Sequence, residues 1–176
     1  ILLHKITGPL YCSYYESLNP FEKATFNVAW AGEDESLNWM HIARDYTEKF
    51  LHQQQVRDAV KKPGLMNKDF FYPFIDIFML ALPHTFRNTT APENTCLQLT
   101  VEGEAGGSWY LIHQGSRWQL TKKAPAQIHS AVSIQEDDAW KLFSKSISPA
   151  DVRSRVSITG NKELGEIALT MVSVMA

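Results

Sequence analysis

Between Arg87 and Pro92 the hydrophobic pattern of this chain changes period. Before that stretch, apolar residues recur every three or four positions, the spacing of one helix face; after it they alternate, the spacing of one strand face. A helical segment will not sit as a strand, nor the reverse, so RNTTAP is the place to divide the chain. The expectation is two domains, 1–88 helical and 89–176 α+β, the second an antiparallel sheet with helices on one face.

In the first part the long segment NWMHIARDYTEKFLHQQQVRDAVKK, Asn38 to Lys62, lacks Gly and Pro and reads as one helix. Trp39, Ile42, Tyr46, Phe50, Val56 and Val60 mark its expected buried stripe. Asp34 or Ser36 would cap its start, and Pro63–Gly64 would stop it. Upstream, LLHKI and LYCSYYESL read as two short helices split at Gly8–Pro9, followed by a turn at Asn19–Pro20 and a loop over AWAGEDES. Downstream, KDFFYPFIDIFMLALPHTFR is a second strong helix, with Asp69 as cap, Phe71, Phe74, Phe78 and Leu82 as its stripe, and Pro83 as its end. A short turn between two such helices suggests an antiparallel pair from a bundle.

In the second part CLQLTVE, SWYLIHQ, RWQLTKK and AQIHSAVSI read as strands, with Gly115–Ser116 a tight hairpin turn. Asp137 or Asp138 would cap a helix over AWKLFSK, and Pro149 would open another over PADVRSR. VSITG is a short strand, and KELGEIALTMVSVM a closing helix with Leu164, Ile167, Ala168 and Met171 inward. Trp109, Leu111, Trp118, Leu120, Trp140, Phe143 and Met171 are expected to fill a core, since so small a domain has little interior to spare.

A net charge of -2 argues against a general phosphate-backbone binder. No apolar run reaches the roughly 18 residues of a membrane span. Cys12 and Cys96 lie far apart without CxxC spacing, which fits reduced thiols in the cytoplasm. No phosphate-binding glycine motif or GxSxG elbow is present.

The candidate chemistry lies on the long helix, where His41, Asp45, Glu48 and His52 share a polar face. Glu48 and His52, four apart, stack one above the other at about 5–6 Å between Cβ atoms. Such a pair can hold one divalent ion with further ligands from elsewhere, or form an ordinary helix-face hydrogen bond. His4, His84, His113 and His129 are scattered and complete no site by spacing. Among Arg117, Lys122, Lys123, Arg153 and Arg155, one cation could reach an anionic substrate.

Three stretches, RDYTEKFLHQQQVRDAV, FIDIFMLALPHTFR and GEAGGSWYL, resemble the mycothiol-dependent maleylpyruvate isomerase family of the DinB/YfiT-like superfamily. The likeness runs from about Ala29 to Met175. It implies a metal-binding four-helix bundle joined to a small sterol carrier-like domain, whose apolar tunnel between sheet and helices those seven side chains, from Trp109 to Met171, could line instead of filling a core, and it singles out Glu48 and His52 as metal ligands, with His41 and Asp45 in support. The family's first His ligand lies on an earlier helix for which few residues remain before Glu48, so the resemblance implies a partial bundle able to pair as a homodimer. Two functions follow as expectations. One is a transferase or isomerase acting on a small electrophile, using a divalent metal, zinc above others, and a low-molecular-weight thiol such as mycothiol or bacillithiol. The other is a non-catalytic protein binding metal or a small apolar ligand through the sterol carrier-like domain.

Overall fold

The computed structural model describes residues 2–173. The chain opens with α1 (Leu2–Ser17), a single helix that passes through Gly8–Pro9 instead of breaking there. Pro9 removes one backbone donor but α1 buries no residue, so the ring has no packed neighbour to displace.

The long helix α2 spans Asn38–Ala59. Neither Asp34 nor Ser36 caps it. Its N-cap is Leu37, and the first free N–H groups, those of Asn38 and Trp39, donate to the carbonyls of Glu22 and Pro20 at 2.9 and 3.0 Å. Ser36 is buried and committed elsewhere, its hydroxyl accepting from Val28 N and donating to Val28 O. The helix ends on Lys61 in the left-handed region (φ 52°), with Lys62 N–H returning to Arg57 O at 2.8 Å and Lys61 N–H to Asp58 O at 3.1 Å. The stop therefore comes before Pro63–Gly64. The buried stripe is Met40, Ala43, Thr47, Phe50, Leu51 and Gln54; of the expected set only Phe50 is in it, and Val56 and Val60 are exposed.

Helix α3 (Lys68–Met79) is capped by Asn67, whose side chain accepts from Phe70 N, and not by Asp69. Pro83 sits in the first turn of α4 (Leu82–Thr85), where its missing N–H is harmless. Phe71, Phe74, Phe78 and Leu82 are buried as their spacing predicts. Phe74 lies 4.5 Å from Phe50 and 4.2 Å from Phe78, ring centre to ring centre. Ahead of the sheet, α2 and α3 are the two long helices that pack against each other.

Strands β1 (Cys96–Glu102), β2 (Gly107–Gln114), β3 (Arg117–Thr121), β4 (Ser130–Gln135) and β5 (Ser157–Gly160) form one sheet in the order β3-β2-β1-β4-β5. It is mixed, not antiparallel: β1 and β4 run parallel. After the β1–β2–β3 meander the chain crosses back over 122–129, and His129 N–H bonds to Cys96 O, seating β4 on the far side of β1. A row of Trp109, Leu99, Val132 and Ile158 runs across the buried face. The opposite face is polar, with Gln98, Thr100 and Ser108 hydrogen-bonded in line.

The remaining helices are α5 (Glu136–Phe143), α6 (Pro149–Val152) and α7 (Lys162–Ala168). Gln135, not Asp137 or Asp138, is the N-cap of α5. Gly165 lets α7 approach the sheet, since a Cβ there would fall 2.4 Å from Ile158 Cγ2. Helix α7 stops at Ala168, short of the expected closing helix, whose last residues, 174–175, lie outside the described residues. Met171 is still buried, in the irregular segment that follows. One hydrophobic cluster takes in Phe50, Phe71, Phe74 and Phe78 together with Leu99, Trp109, Trp140 and Met171. Residues on both sides of 88/89 thus share a core, and the seven side chains that could have lined a tunnel fill it or pack against it. No helix among the described residues is long and apolar enough to cross a membrane.

Candidate functional site

Around α2 the structure separates three faces. One is the core stripe. The second carries the polar row, which the fold divides. Glu48 Oε2 and His52 Nε2 approach to 3.3 Å, and His52 Nδ1 lies 3.0 Å from Gln55 Oε1. His41 and Asp45 are held by other partners. His41 Nε2 meets Phe26 O at 2.9 Å with its ring edge-on to Phe26. Asp45 accepts from Tyr11 and from Lys49. Burial, then the Asp45 hydrogen bond, raises the Tyr11 phenol above its ordinary range.

The other histidines do not gather here. His129 Nδ1 accepts from Cys96 N at 3.1 Å, and His113 is buried beside Trp118. Among the described residues no group of three or more His, Cys, Asp or Glu is placed to hold a metal ion. Glu48 and His52 supply two donors of suitable chemistry, one short of the three protein ligands of a catalytic zinc. The basic residues of the second half are largely committed as well: Lys122 pairs with Asp76, Arg153 with Glu166, and Arg155 with Asp138.

The third face of α2 is apolar and open. Trp39, Ile42 and Tyr46 oppose Phe70, Pro73 and Ile77 of α3 across a groove of about 540 Å³, with Pro20 at its edge. The volume lies within the usual range of small-molecule sites. Tyr46 donates to Phe70 O at 2.6 Å, and burial raises its phenol, so the ring presents an uncharged surface with its hydroxyl already satisfied. Asp69 is the only ionisable side chain besides Tyr46 in the lining. Sequence reasoning placed Trp39, Ile42 and Tyr46 in the buried stripe. They are apolar because they line a groove. The matching signal on α3 was present: Phe70, Pro73 and Ile77 are spaced by three and four, beside the stronger phenylalanine stripe that masked them. A second cleft of about 560 Å³ lies between residues 88–95 and α7, where Thr90, Thr95, His129, Asn161 and Glu163 give it a mixed polar lining.

No protein-family model matches this chain, and no curated protein does. Solved structures with a similar fold include a UbiJ-SCP2 ubiquinone synthesis protein, 15% identical, covering 56% of this chain and 96% of its own, with a TM-score of 0.38. The sterol carrier protein domain 2 of Helicoverpa armigera is 18% identical over 58% of this chain and 86% of its own, at 0.42. Palmitated SCP2L2 from Aedes aegypti is 11% identical over 56% and 96%, at 0.43. A likeness of this size carries no function across.

Proposed function

We propose that this chain binds a small apolar ligand, without transforming it, in the groove between α2 and α3. The observation that supports this reading is the lining: seven apolar or aromatic side chains from α2 and α3, with Tyr46 already hydrogen-bonded and one carboxylate at the margin. Each methylene buried in such a groove contributes about 0.8 kcal/mol. The groove is open along one side, which suits a ligand with an aliphatic or ring body and a polar end left in water. In this reading residues 1–88 carry the site and residues 89–176 provide the sheet that backs it. Titration with a fluorescent fatty acid tests it. Saturable one-to-one binding is expected, weakened at least roughly ten-fold by Ile42→Asp or Ile77→Glu. Absence of saturable binding, or the same affinity in both variants, would sink the reading.

The approach of Glu48 to His52 supports a second reading, a metal- and thiol-dependent transferase or isomerase with these two residues as ligands of zinc. Two donors do not fit a resident catalytic zinc by themselves, so this reading needs a third ligand from outside the described set. Metal analysis decides it. Near one zinc per chain, lost in His52→Ala, is the outcome required; no retained metal after zinc reconstitution removes it.

A further inference from the structure

Helices α2 and α3 carry four aspartates, Asp45, Asp58, Asp69 and Asp76. Three are paired with a lysine: Asp45 with Lys49, Asp58 with Lys141, and Asp76 with Lys122. Asp69 is the fourth. Among the described residues its carboxylate has neither an ion pair nor a hydrogen bond, and it lines the groove between the two helices. No Lys, Arg or His among the described residues joins it there. The groove therefore holds one uncompensated negative charge beside three aromatic side chains, Trp39, Tyr46 and Phe70.

Elsewhere this fold fills the same combination with an ammonium. Lys49 Nζ pairs with Asp45 and lies 4.2 Å from the Tyr11 ring centre. Lys122 Nζ pairs with Asp76 and lies 4.5 Å from the Trp109 ring centre. Lys141 Nζ pairs with Asp137 and lies 5.3 Å from the Trp140 ring centre. In each case a carboxylate and the negative face of a ring attract one cation. The groove has the carboxylate and the rings and lacks the cation. Phe70 directly follows Asp69, and the Tyr46 hydroxyl is spent on Phe70 O, so the rings near Asp69 compete for no proton of the ligand. An anionic head group would meet like charge at Asp69 with no base to offset it. Nor do the Phe70 and Phe71 N–H groups of α3 offer it a site, since both are turned to Asn67. On the ligand reading above, we propose that the groove takes an organic ammonium, with its apolar body against Ile42, Pro73 and Ile77 and its charged nitrogen beside Asp69.

Octylammonium, octanol and octanoate share one chain and differ in charge, so titration of the full chain with each, followed by tryptophan fluorescence and calorimetry, isolates the head group. Octylammonium should bind about three- to ten-fold more tightly than octanol, the sum of an exposed ion pair and an exposed cation–π contact, with octanoate weakest. Asp69→Glu should retain the preference, Asp69→Asn should abolish it, and Asp69→Lys should reverse it in favour of octanoate. Circular dichroism melts of the three variants confirm that each is folded. No saturable binding of any of the three compounds removes the ligand reading and the ammonium with it. Saturable binding of octanol without preference for octylammonium, or a preference that persists in Asp69→Asn, overturns the ammonium alone.

Discussion

Trp109 donates its indole N–H to Asp76 Oδ1 at 2.7 Å, tying the middle of the sheet to α3. Trp109 is fully buried, so no water can replace that acceptor without rearrangement. Lys122 reinforces the joint, pairing with Asp76, bonding to the Tyr72 hydroxyl at 2.8 Å and lying 4.5 Å from the Trp109 ring centre. Asp76→Ala should destabilise the protein by about 1–3 kcal/mol, the usual cost of orphaning a buried donor. Asp76→Asn keeps an oxygen there and should lose less. Urea midpoints of the two variants check the order; equal losses would show that the charge of Asp76 matters and its acceptor does not.

Phe74 is fully buried between Phe50 and Phe78, in a cluster that continues under the sheet. Phe74→Ala should cost about 3–5 kcal/mol through lost burial and a residual cavity. Because the core is shared, circular dichroism and tryptophan fluorescence should follow one coincident transition in wild type and variant alike. Two separated transitions would contradict a shared core.

Two carboxyls in the first turn of α5 should respond oppositely to acid. The Arg155 guanidinium grips Asp138 through two bonds of 2.7 and 2.9 Å and holds its carboxyl below the usual range. That contribution is present above the unfolded value of about 4 and is lost as pH falls through the lower folded value. Asp138→Asn should therefore flatten the acid limb of stability. Glu136 is pushed up, first by burial, and its Oε2 has no partner. Its folded state holds the proton more tightly, so stability declines as pH rises from about 4 toward the raised folded value. Glu136→Gln should stabilise the protein at neutral pH and do little in acid. Thermal melts across a pH series check both signs.

The two thiols should be told apart by a colorimetric thiol reagent. Cys12 is exposed on α1, whereas Cys96 is buried and burial pushes its thiol up to about 11. Native protein at mildly alkaline pH should react at one thiol, and unfolded protein at both. Cys12→Ser should abolish the fast phase; a remaining fast phase would mean that β1 opens readily.

The strands were legible because each alternates over its own length. The partner of β4 was not, because a period of two reports which face is buried and says nothing about the neighbouring strand's direction. Likewise the spacing of Glu48 and His52 brought them together correctly, since four residues on a helix fix their distance. His41 and Asp45 share that spacing but are held by Phe26 and Tyr11, partners whose approach depends on tertiary packing. The groove went unread because Trp39, Ile42 and Tyr46 look the same in sequence whether they face a core or an open cleft. Gly8–Pro9 gave a break where none occurs, since sequence alone does not show that a proline's flank is uncrowded.

The parallel seating of β4 against β1 sets an order of assembly. The meander can form from near neighbours, Leu97 with Leu111 and Leu111 with Leu120. Leu97 meets Ser130 only after both intervening hairpins have been spanned. Loop-closure entropy penalises that pairing most, so the transition state for folding should contain the meander and lack β4. Kinetic φ values for Leu111→Ala near one half or above, with Ile134→Val near zero, would trace that sequence of events. The strand that makes the sheet mixed, with β5 paired along its outer edge, then joins after the meander and leaves before it.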